Sequence, residues 1–374
     1  MKKIIVLFLL VIFLFSCSTR KKVENVDAEL IDVWIPEKLS LRNPLENIGI
    51  YEDKVYYWSN SGNKYFLNFY DLSGSNIKKL EFEMGKGPGQ IFSNNSTFIK
   101  NDQINILDLA RRSLLVFDMN GKYVDDYKIN INDFGQVARN QNYLYFSGIL
   151  KNKLAKIDLE NNEVVKSIKY KNADSIKSFR DIMGKKLRMS SIIIDEEAKI
   201  LYRGTSNLPY KIEKYDFNLE KIDEFKREIT GNFKDFIIEE GTGGSGSIII
   251  SSMQTDDKYL YASFGGGQVT ERKNNKISLS GIANDYFISV FDKKNGDFLY
   301  EINVPSISPL KGVTKLLKVT KDKLFIMVVD FEDTLNDLLK DKNLKAEKNE
   351  LESRFISSDV KRAIVIVKNP IYQD

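Results

Sequence analysis

The 374-residue chain contains no histidine, one cysteine, seven prolines and two tryptophans. Without histidine there is no Ser-His-Asp or Cys-His catalytic arrangement, no His-ligated zinc and no imidazole proton shuttle. A single cysteine excludes internal disulfides and Cys-rich metal or iron–sulfur sites. The chemistry that survives is that of carboxylate, Tyr, Lys or Arg side chains, or binding without catalysis. No metal and no cofactor is expected. Charge of one sign is also missing, since 56 Lys and Arg face 52 Asp and Glu. Hydrophobic content of 42% with 29% charged residues is ordinary for a folded protein. No basic stripe with interleaved aromatics is present, so nucleic acid is not an expected partner.

The N-terminus carries an address. Met1, Lys2 and Lys3 precede an unbroken apolar run from Ile4 to Phe15. That run is shorter than the ~18 residues of a membrane span and suits the apolar core of a secretory signal. It ends Leu14-Phe15-Ser16-Cys17. A small residue followed by Cys at this point resembles the bacterial lipoprotein processing site, where the Cys becomes the lipidated first residue. The expected division is a signal peptide over 1–16, a tether over 17–27 and a folded body over 28–374. Removal of Lys2 and Lys3 takes the formal charge from +4 to +2. The membrane is then a partner through lipidated Cys17. The absence of Asp after Cys17 favours the outer membrane in a cell with two.

A polar turn followed by an alternating apolar strand occurs six times, with Val55, Ile104, Leu144, Ile200, Leu260 and Leu324 in equivalent positions. A second pattern, an apolar strand ending in Asp before a turn, occurs at Asp71, Asp118, Asp158, Asp216 and Asp292. Asp, Asn and Gly suit such turns because they tolerate positive φ or bond their own backbone. Spread tens of residues apart, these acids read as turn and strand-end residues rather than calcium ligands. Four strands repeating at ~40–50 residues indicate propeller blades. The predicted fold is therefore all-β, a six-bladed β-propeller of four-stranded antiparallel blades. The last unit lacks a fourth strand after Asn369-Pro370, and Glu29–Pro36 resembles the strand Tyr300–Pro305. The N-terminal strand is expected to complete that blade and close the ring.

The A–B and C–D turns are short and polar, whereas the long segments fall on the opposite face. These are 172–189, 229–247, 265–284 and 331–361. The last shows a capping box at Thr334–Asp337 and leucines at helical spacing, so a small helical insertion is expected there. Gly265-Gly266-Gly267-Gln268 suits either a ligand-site lining or, the reading favoured, a flexible hinge into its insertion. Long loops on one rim of a rigid scaffold usually carry function. The candidate ligand-binding residues on that rim are Arg111, Arg112, Arg180, Arg188, Arg203 and Lys86, which suit acidic glycans or carboxylates.

Gly85-Lys86-Gly87-Pro88-Gly89-Gln90-Ile91-Phe92 is not a P-loop, since no Gly-Lys-Ser/Thr follows and no helix begins there. It reads as a tight crossover between the first two units. This loop, Asp-x-x-Gly turns such as Phe117-Asp118-Met119-Asn120-Gly121, and the lipoprotein start together resemble the six-bladed β-propeller lipoproteins related to NHL-repeat proteins. The resemblance implies the fold and leaves activity open. The His-bound metal of NHL-like lyases does not carry over to a chain without His. The expected function is a monomeric, lipid-anchored envelope propeller that binds a ligand, an envelope protein or a glycan on its long-loop face, without catalysis. The competing readings are a glycan-acting enzyme using carboxylate or Tyr residues in the central funnel, and a structural component of an envelope complex.

Overall fold

The computed structural model describes residues 23–34, 48–331 and 361–372, except residues 130, 132, 134, 172, 177, 178, 187–189, 232, 240–242, 274 and 275. Cys17, Arg188 and the segment expected to hold the helical insertion lie outside the described residues.

The interior strands are continuous apolar runs because both of their faces are covered. In Val55-Tyr56-Tyr57-Trp58 all four side chains are buried, and the same holds for Leu114–Phe117. The fourth strands alternate instead. Along Asn76–Glu83 only Leu80 and Phe82 are buried.

The chain opens with β1 (Glu24–Asp27) and β2 (Leu30–Trp34). One four-stranded antiparallel sheet follows from β3 (Ile48–Tyr51), β4 (Lys54–Ser61), β5 (Lys64–Tyr70) and β6 (Asn76–Glu83). The second is β7 (Ser96–Lys100), β8 (Gln103–Asp108), β9 (Ser113–Asp118) and β10 (Tyr123–Lys128). The third is β11 (Gly135–Arg139), β12 (Tyr143–Gly148), β13 (Asn152–Asp158) and β14 (Glu163–Lys169). The fourth is β15 (Ser190–Asp195), β16 (Ile200–Thr205), β17 (Lys211–Asp216) and β18 (Lys221–Lys226).

The next segments are β19 (Ile237–Glu239), β20 (Gly243–Ser247), β21 (Ser252–Thr255), β22 (Tyr259–Ser263), β23 (Gly267–Lys273), β24 (Lys276–Gly281), β25 (Phe287–Asp292) and β26 (Phe298–Asn303). Here β21, β22, β25 and β26 form the fifth repeat's sheet, while β19, β20, β23 and β24 form a separate one. The last sheet contains β27 (Gly312–Val319), β28 (Lys323–Asp330), β29 (Lys361–Lys368) and, at its outer edge, β2. Among the described residues the helical content is four short 3-10 turns, and no helix is long and apolar enough to cross a membrane.

Among the described residues the fold is all-β and propeller-like, with seven sheets where the sequence repeats predict six blades. The additional sheet joins two long insertions that are separate in sequence, with Gly246 paired to Gln268 and Ser247 to Gly267. This also corrects the reading of Gly265–Gln268 as a flexible hinge. A Cβ on Gly266 would stand 2.1 Å from the Gly312 carbonyl oxygen, so glycine serves close backbone approach at that position. Gln268 and Thr270 both donate side-chain hydrogen bonds to the Gly244 carbonyl, at 2.8 and 2.6 Å, which further fixes the segment.

The N-terminal strand takes the position expected of it, with β2 antiparallel to β29. Trp34 packs edge-on to Tyr70 at 5.6 Å between ring centroids, in a cluster with Tyr57, Phe325, Ile364 and Ile366. The preceding segment differs from expectation. Residues 24–27, read as tether, form β1 and pair in parallel with β26 as the fifth strand of its sheet. Backbone pairing needs no particular side chain, and the exposed edge of β26 offers it.

The repeated acids occupy turns. The Asp71 carboxylate accepts from the backbone N–H groups of Ser73 and Ser75, both at 2.9 Å. Asp118, Asp158, Asp216 and Asp292 cap their own turns in the same way.

Candidate functional site

First strands of the sheets lie against one another: β3 against β7, β11 against β15, β15 against β21, β21 against β27 and β27 against β3. The Lys100 ammonium on β7 donates to the Arg139 carbonyl on β11 at 2.5 Å, joining that pair as well. A cavity of about 470 Å³ lies among these six strands and is lined by residues of each. That volume falls in the ~300–1,000 Å³ range of small-molecule sites.

The lining is mixed in character. Serines and amides contribute at Ser191, Ser252, Gln136 and Gln254, and apolar surface at Ile50, Ile193 and Met253. Its charged members are Lys100, Arg139 and Lys315, with no Asp or Glu among the lining residues. Lys100 also pairs with Glu196, at 2.6 Å. Arg139 is half-buried, donates to the Asn105 side chain and sits over the Tyr127 ring at 5.3 Å. Burial lowers its pKa from the usual arginine value, with Tyr127 and Asp125 opposing that shift. Gln254 is held by the Leu317 carbonyl at 3.1 Å, and Ser252 accepts from the Leu316 N–H at 2.7 Å.

Tyr56 crosses the wall between the first two sheets, with its hydroxyl 3.4 Å from the Thr97 carbonyl. It lies over Gly49, where a Cβ would stand 2.3 Å from the phenol oxygen. Burial pushes the Tyr56 pKa up, which disfavours the phenolate that a Tyr nucleophile needs.

Of the residues predicted for binding, Lys86, Arg111, Arg112, Arg180 and Arg203 are described, and none of these five lines this cavity. Arg111 is 7% exposed at its side chain and pairs with Asp126 at 3.0 Å. It also donates to the carbonyls of Gly87 and Gln90, so it clamps the Gly-Pro-Gly crossover onto the second sheet. Lys86 rests over the Phe92 ring at 4.6 Å. Arg112 occupies a turn position with φ of 54°. Arg180 is exposed on the 3-10 turn Phe179–Ile182.

Arg203 is buried in a network of its own. It bonds Glu213 at 3.0 Å, the Tyr170 hydroxyl at 2.9 Å and Ser147 at 3.3 Å. Lys153, Lys211 and Tyr215 complete the surroundings of Glu213. The arginines therefore occupy separate environments.

Two of the three cavity cations were legible only as strand-end charge, and Lys315 lies within β27. Lys100 and Arg139 are the last residues of their strands, immediately before Asn-containing turns. Among the described residues no group of three or more His, Cys, Asp or Glu is placed to hold a metal.

Among solved structures, a member of the DUF4221 family from Bacteroides vulgatus aligns with 91% of this chain and 97% of its own, at a TM-score of 0.53 and 11% identity. A candidate exported protein of Bacteroides fragilis aligns with 93% of this chain and 99% of its own, at a TM-score of 0.49 and 14% identity. Hydrazine synthase of Kuenenia stuttgartiensis aligns with 82% and 81%, at a TM-score of 0.39 and 13% identity. No family model matches the sequence, and no curated protein matches it. Similarity at these identities concerns the fold.

Proposed function

We propose that this chain is a lipid-anchored protein of the cell envelope, built as a six-bladed propeller closed by its N-terminal strand, and that it binds an anionic small ligand in its central cavity. The observation that carries the reading is the lining: its charged members, Lys100, Arg139 and Lys315, are all cationic and no Asp or Glu lines the wall, although Lys100 also pairs with Glu196. A carboxylate or phosphate entering there would gain charge-assisted hydrogen bonds, each contributing ~1.5–3 kcal/mol. A glycan-cleaving enzyme would need two carboxylates, or a Tyr with an acid, facing the funnel.

The blade count treats the sheet of β19, β20, β23 and β24 as an accessory built from loop insertions. The first-strand contacts and the pairing of β2 with β29 favour that reading. The NHL-like kinship rests on the turn motifs, and the envelope address on the leader ending at Cys17. An outer-membrane location follows from the residues after Cys17.

Titration calorimetry with citrate and with inorganic phosphate tests the binding reading. Binding that weakens with added salt, and by about tenfold or more in Arg139→Gln and Lys315→Gln, is the expected result. Affinity unchanged in both variants would refute it.

A further inference from the structure

A second and larger recess, of about 830 Å³, lies between the second and third sheets on the side of the short turns. The turns after β7 and β11, the strand β10 and the hairpin after β13 form its walls. Six primary amides line it: Asn140 and Asn162, and a further four at Asn101, Gln103, Gln141 and Asn142. None of these four side chains makes a hydrogen bond among the described residues.

Turn chemistry accounts for some neighbouring amides. Asn140 accepts from the backbone N–H groups of Asn142 and Tyr143, at 3.1 and 2.8 Å, and Asn162 accepts from that of Lys128 at 2.9 Å. Asn101 has a φ of 50°, which favours asparagine on backbone grounds alone. Gln103, Gln141 and Asn142 have no such backbone requirement.

The charges around the recess are largely answered within the protein. Lys100 pairs with Glu196 at 2.6 Å, Asp126 with Arg111 at 3.0 Å, and Asp125 accepts from the Asp126 N–H at 2.8 Å. An anion would face Asp125 and Glu160, a cation would face Lys100 and Arg139, and an apolar ligand would strip water from the amides without replacing it. Each primary amide offers both a donor and an acceptor, as does each sugar hydroxyl. The Tyr127 ring, over which the Arg139 guanidinium sits at 5.3 Å, also lines the recess.

We propose that this recess binds a neutral oligosaccharide, with Gln103, Gln141 and Asn142 bonding its hydroxyls. The site is separate from the anion cavity, although Lys100 and Arg139 border both. It uses no covalent step.

The test is calorimetry of the purified protein with neutral maltoheptaose, cellohexaose, xylohexaose and mannohexaose, and with oligogalacturonate as an acidic control. At least one neutral oligosaccharide should bind. The double variant Gln141→Ala/Asn142→Ala should weaken that binding by about tenfold, the loss of one or two hydrogen bonds, with an unchanged thermal midpoint. Gln103→Ala, at the start of β8 in the neighbouring sheet, should weaken it independently. Lys315→Gln should leave it intact while reducing citrate binding, so the two sites fail separately. Absence of binding by all four neutral sugars at millimolar concentration, binding of the acidic polymer alone, or full affinity in both amide variants would overturn the proposal.

Discussion

The Arg203 guanidinium and the Glu213 carboxylate meet at 3.0 Å with side chains 5% and 2% exposed. Such a pair is held by the partners that satisfy both ends, here Tyr170 and Ser147 on one side and Lys153, Lys211 and Tyr215 on the other. Removing one member leaves an uncompensated buried charge, which costs ~3–5 kcal/mol. Glu213→Ala should lower the stability measured by urea unfolding by about that amount.

The same carboxylate sets an acid limit on stability. Burial by itself raises the Glu213 pKa, but the Lys153 hydrogen bond and the charges of Arg203, Lys153 and Lys211 outweigh it and hold the group at about 2. Because the folded value lies below the ordinary 4.5, the contribution is complete above about pH 4.5 and is lost as pH falls toward 2. The gap corresponds to about 3 kcal/mol. Unfolding free energy followed from pH 6 to pH 2 should fall more steeply in the natural chain than in Glu213→Gln. Parallel profiles would contradict the assignment.

Arg111 distinguishes a structural role from a ligand-binding one. Its bonds to Asp126 and to two crossover carbonyls predict that Arg111→Ala lowers the thermal midpoint, by about 1–3 kcal/mol of stability, without changing anion affinity. Arg111→Lys should recover little, because a point charge cannot reproduce the planar fork.

Trp34 reports on the N-terminal strand. It is 6% exposed and packs against Tyr57 and Tyr70 from β4 and β5, although β2 belongs to another sheet. Trp34→Ala should cost ~3–5 kcal/mol. Loss of under ~1 kcal/mol in chemical denaturation would show that β2 does not join the two ends of the fold.

Much of this architecture was legible locally. Asp71, Asp118 and their equivalents mark hairpins because their carboxylates bond N–H groups only two to four residues away. The pairing of β20 with β23 was not legible, since it depends on two glycine-rich segments meeting across an intervening pair of strands. The strand β1 was hidden for a related reason: Glu24-Asn25-Val26-Asp27 has the composition of a solvated tether, and only the open edge of β26 makes it a strand. The cavity wall escaped notice because Lys100, Arg139 and Lys315 are brought together by the arrangement of sheets and carry no motif. The loop arginines drew attention by residue type, yet Arg111 and Arg203 are spent on internal contacts.

The anchor has its own test. Cys17→Ser should move the protein from the membrane fraction to the soluble envelope fraction and abolish labelling by a fatty-acid analogue. Continued lipid labelling would refute lipidation at Cys17.

The most direct measurement for the central claim is a crystal structure of the protein soaked in bromide, with the anions located by anomalous scattering. The account predicts bromide beside Arg139 and Lys315, inside a cavity walled by β3, β7, β11, β15, β21 and β27. A cavity holding only water while bromide occupies other sites, or six first strands that do not enclose a common space, would contradict it.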